Sequence, residues 1–197
     1  MINFKKKFIF IHIPKTAGTS IESSLDEEGS ILKRGEIEYG YSRPLNHLTL
    51  SQALNYRNFD RNLTKDFFKF TFVRNPWDKV ISECFCGQIQ IIFKDDHTVK
   101  EKIKTVCSWA KEGYGGHCQK QISFVKDRRS SMDFIGRFED LQKDYKYICE
   151  TLHIPHFPLP HLNKSQRSHY REYFDNETED LVRETYKEDI EKFNYEY

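Results

Sequence analysis

The sequence predicts an α/β fold, a single domain with a central parallel β-sheet flanked by helices, on three observations. First, residues 8–13 (FIFIHI), 67–73 (FFKFTFV) and 132–138 (MDFIGRF) are short runs rich in Phe and Ile, each followed by a polar turn. Apolar runs of this length suit strands covered on both faces. Second, stretches of helical length separate the runs, the arrangement of parallel strands joined by crossover helices. Third, 197 residues fit one sizeable core, and a second would be hard to accommodate.

The elements follow in order. The first strand opens behind the basic start MINFKKK, and the turn PKTAGTS leads from it into a helix from Thr19 to Glu28. A second helix covers Leu50 to Tyr56. The second strand ends at Val73, and a longer helix from Trp77 to Phe93 follows the turn Arg74-Asn75-Pro76, where the fixed φ of Pro76 suits a helix start. KEGYGGHCQK (111–120) and KDRRSS (126–131) read as loops. The second is basic: a solvated turn is its plain reading, contact with an anionic acceptor its functional one. After the third strand, Leu141, Tyr145, Ile148, Cys149 and Leu152 fall on one helical face before the Pro-rich stop IPHFPLP. One last helix carries the stripe Leu181, Val182, Thr185, Tyr186, Ile190 and Phe193, with Asn176 and Glu179 as a capping box.

Composition narrows the class. With 38% hydrophobic and 15% aromatic residues the chain is too apolar for a disordered protein. The net charge of +1 hides an asymmetry: residues 171–197 hold four Lys/Arg against ten Asp/Glu, so the rest of the chain is basic. A basic body suits an anionic ligand. No nucleic-acid partner is expected. The five cysteines are odd in number and lack paired CxxC spacing, so free thiols are expected. Cys84 and Cys86, two apart on a helix, point to different faces and do not make a metal pair. No apolar run approaches the roughly 20 residues of a membrane span, and the first run ends in Pro-Lys rather than continuing as a signal peptide. A soluble, cytoplasmic protein without a membrane anchor is the expectation.

Two clusters carry chemistry. A strand that turns into a helix presents backbone N–H groups and the positive end of the helix dipole, which together attract anions. In PKTAGTS, Gly18 allows close approach of a ligand, Thr16, Thr19 and Ser20 offer hydroxyls, and Lys15 adds a full charge. The standard triphosphate loop, GxxxxGK[ST], places its Lys after the last Gly, whereas Lys15 precedes Gly18. In FVRNPWDKVISECF, Arg74 stands at the carboxyl end of a strand and Ser82 eight residues on, a second phosphate-sized pair. A kinase or NTPase would need the standard loop and a Mg²⁺-binding Asp where Arg74 stands. A catalytically silent binding domain, for a nucleotide or a glycan, would need Arg74 and Ser82 but not Lys15 combined with a general base.

PKTAGTS resembles the 5'-phosphosulfate loop, and RNPWDKVIS the 3'-phosphate motif, of sulfotransferases that use 3'-phosphoadenosine-5'-phosphosulfate (PAPS). HIPKTAGTS, FVRNPWD, FIGRFEDL and LPHLNKS most resemble the carbohydrate-type branch related to the heparan sulfate 2-O-sulfotransferases and their small bacterial and viral relatives, from about His12 to the C-terminus. The resemblance implies a P-loop-like fold, PAPS as donor with PAP as product, and a hydroxyl acceptor that is a saccharide or polysaccharide. It implies that Lys15 contacts the bridging oxygen and 5'-phosphate, that Thr16, Ala17, Gly18, Thr19 and Ser20 cradle the phosphosulfate, and that Arg74 and Ser82 hold the 3'-phosphate. Asn163, Lys164 and Ser165 correspond to a late loop that closes over the cofactor. His47, in RPLNHLTLSQAL, resembles the acceptor-loop His and is the candidate general base; the alternative is a capping or packing role. His161 and His169 are second-choice bases, and His12, inside the apolar strand, is expected to be a hydrogen-bonded core residue. Trp77 is read as packing. No metal is expected, because Lys15, Arg74 and the helix start neutralise the anionic charge. Oligomeric state is not readable from the sequence.

Overall fold

The computed structural model describes residues 1–26, 30–36, 44–56, 60–86, 93, 97–113, 116–160, 162 and 167–197. Five strands form one sheet: β1 (Ile2–Asn3), β2 (Phe8–Ile11), β3 (Ser30–Ile31), β4 (Phe68–Val73) and β5 (Phe134–Arg137). The described helices are α1 (Gly18–Leu25), α2 (Leu50–Leu54), α3 (Pro76–Cys84), α4 (Val99–Glu112), α5 (Ile122–Val125), α6 (Leu141–Thr151), α7 (Asn176–Thr185) and α8 (Lys187–Phe193). Contacts divide the chain into two compact units, residues 1–73 with 123–162, and residues 74–122 with 163–197.

The first unit holds the sheet, in the order β3-β1-β2-β4-β5. Its core is parallel, with Phe10 opposite Phe70 and Phe70 opposite Phe134, while β1 runs antiparallel to both β2 and β3. The sheet is therefore mixed rather than wholly parallel. The two antiparallel strands are two residues each, too short for any hydrophobic period to register. Phe8, Phe10, Phe70 and Phe72 line one face and pack with Ile21 and Leu25 of α1 and with Tyr145, Ile148 and Cys149 of α6. Gly136 sits where β5 passes Phe72: a β-carbon there would come within 2.6 Å of the ring.

The expected first strand ends two residues early, because His12 and Ile13 leave the ladder for the turn. Helix α2 has a capping box, with Thr49 accepting from the Gln52 N–H and Gln52 returning the bond to Thr49.

The second unit is helical among its described residues. Asn75 caps α3 by accepting from the Trp77 N–H, with Pro76 at the first turn. Trp77, Val80, Ile81 and Cys84 pack with Ile103, Val106 and Cys107 of α4 and with Val182 and Tyr186. Trp77 is fully buried, its Nε1 donating to the Glu179 carbonyl, so it is a packing residue. Helix α3 stops at Cys84, short of the expected Phe93. Helix α4 lies outside the expected elements, although Thr98 and Glu101 form a capping box and Gly113, at φ 74°, ends it. The last stripe is two helices: Tyr186, at φ −107° and ψ 22°, lies between α7 and α8. The cap is Asp175 with Thr178, not Asn176 with Glu179.

All five cysteines are free thiols. Among the described residues no helix is long and apolar enough to cross a membrane.

Candidate functional site

The turn behind β2 departs from ordinary backbone geometry. Lys15 (φ 67°) and Ala17 (φ 66°) are left-handed although neither is glycine, at a cost of roughly 1–2 kcal/mol per residue. Left-handed residues in such a turn gather successive N–H groups into an anion-binding concavity. Helix α1 begins directly behind it, with no side chain capping its first turn. Lys15, Ala17 and Thr19 are partly exposed, whereas Gly18 and Ser20 are buried. Thr16 is fully buried, and its hydroxyl donates to the Ile13 carbonyl at 2.8 Å, so it shapes the turn from inside. Gly18 has a role the sequence did not suggest: a β-carbon on it would fall 2.0 Å from the imidazole of His12.

His12 is the core residue expected. It is 4% exposed, and its Nδ1 lies 3.1 Å from Oε1 of Glu22, on α1. His47, 8% exposed, closes the short 3-10 turn Leu45–His47, ahead of α2. Its Nδ1 lies 3.1 Å from the His12 carbonyl, and the two rings meet edge to face at 4.4 Å. Only an N–H can engage a carbonyl, so Nδ1 carries a proton, and in the neutral ring Nε2 is then the basic nitrogen. The amide nitrogen of Asn46 is 3.3 Å from that Nε2 and 3.2 Å from His12 Nδ1. Because His12 Nδ1 donates to the Glu22 carboxylate, the amide hydrogen goes to His47. Glu22 and Asn46 were missed by the sequence reading; their only signal is the contact itself.

The basic 126–131 loop lines a cavity of about 680 Å³ with Arg61. Arg61 grips Asp127 through two bonds of 2.9 and 3.0 Å, and that hydrogen bonding holds the Asp127 carboxyl down to about 2. Lys126, Arg128 and Arg129 are exposed along it.

In the second unit, Arg74 is fixed at its backbone and at its side chain. Its N–H donates to Oε1 of Gln121 and its carbonyl accepts from Nε2 of the same side chain. Gln121 is itself held, since its N–H and that of Ile122 both donate to the buried carboxylate of Asp189. Burial pushes the Asp189 carboxyl up, against those two bonds. The Arg74 guanidinium donates to Asp78 at 2.7 Å, and the other Asp78 oxygen accepts from Arg167 at 2.5 Å. Burial pushes Asp78 up, but the two guanidiniums outweigh it and hold its carboxyl below the usual range. Two cations share one anion here. Arg167 is 10% exposed, and its buried Nε has no hydrogen-bond partner among the described residues. Ser82, 8% exposed, follows Asp78 by four residues and so lies on the same helical face. Asp78 was legible as an i,i+4 partner of Arg74; Arg167 was not, being far away in sequence.

Asn163, Lys164, Ser165 and His161 lie outside the described residues. His169 is exposed and stacks near Tyr170, with ring centroids 4.5 Å apart.

In the first unit a parallel strand feeds a left-handed turn and an uncapped helix start, the local geometry that suits an anion; in the second, an arginine pair shares the partly buried carboxylate of Asp78. Comparison with family models gives the class: the model described as the sulfotransferase family matches residues 1–196, and the chain belongs to that family. No curated protein and no solved structure matches it. Membership implies PAPS as sulfuryl donor and a sulfuryl acceptor. The residues fit the donor's chemistry: the turn with Lys15 suits a phosphosulfate, and Arg74 with Arg167 a phosphate monoester.

Proposed function

We propose that the whole chain works as one sulfotransferase domain that moves the sulfuryl group of PAPS to a hydroxyl of a saccharide or polysaccharide, with His47 as general base. The observation that carries the reading is the bond between His47 Nδ1 and the His12 carbonyl, which leaves Nε2 as the basic nitrogen beside the strand end that leads into Lys15. Bound PAPS supplies an activated sulfuryl group and a 5'-phosphate leaving group.

Lys15 neutralises charge on the leaving phosphate, an electrostatic role worth roughly 10²- to 10³-fold in rate. Thr16, Ala17, Gly18, Thr19 and Ser20 present the turn's N–H groups to the phosphosulfate, and the partly exposed Thr19 adds its hydroxyl, while the Thr16 hydroxyl stays on the Ile13 carbonyl. Arg74 and Ser82 bind the 3'-phosphate, with Arg167 beside Arg74 through Asp78. Asn163, Lys164 and Ser165 are assigned to the donor by the resemblance of LPHLNKS alone. His47 Nε2 takes the acceptor's proton as the hydroxyl oxygen attacks in line with the departing phosphate, and Asn46 holds the ring until then. With Lys15, the helix start and Arg74 in place, the transfer needs no metal.

The carbohydrate acceptor, and the branch related to heparan sulfate 2-O-sulfotransferases, rest on the wording of HIPKTAGTS and LPHLNKS; the basic cavity at Arg61 and Arg129 supports an anionic glycan. The test is transfer from labelled PAPS to a panel of sugars, polysaccharides and small alcohols, with Lys15→Ala alongside. Label is expected on a glycan and a 10²- to 10³-fold slower rate in the variant; label on small alcohols alone would sink the carbohydrate reading.

A further inference from the structure

We propose that Glu83, Cys86 and His117 form a site for one zinc-class divalent cation, bound through a Glu83 carboxylate oxygen, the Cys86 thiolate and the His117 imidazole. One ligand atom from each residue lies within 4.8 Å of the others. His117 Nδ1 is 3.7 Å from Oε2 of Glu83. Tetrahedral zinc, with bonds of roughly 2.0–2.3 Å, sets its ligand atoms roughly 3.2–3.8 Å apart, so only small rotamer adjustments close the set. An oxygen, a sulfur and a nitrogen donor from protein, with a fourth position left over, is zinc's borderline chemistry rather than that of magnesium or calcium, which take oxygen alone.

The fold prepares this set. Glu83 lies in the last turn of α3, and the Cys86 N–H donates back to the Glu83 carbonyl at 2.9 Å, so the turn carries on and the two side chains, three apart, share a side. His117 arrives from the segment after α4, pinned by two buried side chains. Lys79 Nζ donates to the His117 carbonyl at 2.7 Å, and the Tyr186 hydroxyl to the Cys118 carbonyl at 2.7 Å. Lys79 and Tyr186 are each 1% exposed. The Glu83 side chain is fully buried beside His117, and the His117 side chain, 27% exposed, gives the ion a way in from solvent. Binding needs the thiolate and a neutral imidazole, so the displaced protons pass to solvent. The ion ties the end of α3 to the 116–118 segment and takes no part in the transfer.

The test titrates the chelator-stripped full chain with zinc and with cobalt(II). One equivalent should bind, zinc should raise Tm, and cobalt should give a thiolate charge-transfer band. Cys86→Ser should abolish the band and weaken zinc binding by more than the roughly 10- to 100-fold that loss of an outer-shell partner costs. His156→Ala, on an exposed residue of the first unit, should change neither. Zinc should also shield Cys86 of the unaltered chain from iodoacetamide, read by peptide mass spectrometry, a result independent of whether the serine variant folds. Binding below one equivalent, or alkylation of Cys86 at the same rate with and without zinc, overturns the proposal.

Discussion

Gly18 and His12 fit so closely that a methyl group on the glycine would stand 2.0 Å from the imidazole Cδ2. The ring cannot easily yield, since it is 4% exposed and tied to Glu22. Gly18→Ala should therefore cost about 1–3 kcal/mol, the usual penalty of overpacking, measured by urea unfolding. Because His12 also holds His47, activity should fall with stability; an alanine variant of unchanged stability would mean that the ring relocates freely.

His47→Ala should lower kcat by about 10²- to 10⁴-fold while PAP still binds. Glu22→Gln leaves His12 a hydrogen-bond partner and should lower kcat much less. Rate and PAP affinity, measured on the same preparations, separate a lost base from a lost fold. Full activity in His47→Ala would remove His47 from that role.

Ala17 holds a left-handed conformation that glycine adopts without steric cost. Against the added entropy of the unfolded chain, Ala17→Gly should still stabilise by about 0.5–1 kcal/mol in denaturant melts. A loss of stability would show that the turn gains more from the methyl group than it loses in backbone strain.

Arg167→Ala should weaken PAP by roughly 10- to 100-fold, the worth of one charge-assisted hydrogen bond, and leave the analogue lacking the 3'-phosphate nearly unaffected. Isothermal titration with both nucleotides reads the difference. Equal weakening of the two would mean that Arg167 serves only to brace Asp78.

The Arg61–Asp127 pair adds a pH dependence. Asp127 is held down to about 2, chiefly by its hydrogen bonds to Arg61, so the folded state binds its proton less readily than the unfolded chain. The stabilisation is complete above the ordinary carboxylate pKa near 4 and is lost as pH falls towards 2. Discounted for solvent, it amounts to about 1 kcal/mol. Asp127→Asn should remove that much at pH 7 and nothing near pH 2, as melts at both values would show.

The strand-turn-helix frame was legible because it is local. PKTAGTS and RNPWD are contiguous, and strand, turn and helix follow one another in the chain, so the turn that carries Lys15 and Gly18 and the strand end before Arg74 could be placed directly. What escaped is what only folding brings together. Glu22 meets His12 across the start of a helix, Arg167 reaches Asp78 from 89 residues away, and Asp189 secures the backbone of Gln121 from 68. The closeness of Gly18 to the His12 ring was not legible, since close approach to a ligand and close approach to a buried ring leave the same mark in a sequence. Helix α4 was hidden because its charged face outweighs the Ile103, Val106, Cys107 and Ala110 stripe.

Strand β4 ends where the second unit begins, and its neighbour β5 is translated only after residues 74–122. The β1–β2 hairpin joins near neighbours in the chain, but the β4 edge bearing Phe70 and Phe72 has no β5 until the ribosome passes Arg137. A nascent chain that stops before Met132 thus carries an apolar strand with one edge open, the kind of intermediate that aggregates or recruits chaperones. Arrested chains of that length should be readily cut by protease within β4, and chains extended past Leu162 should resist.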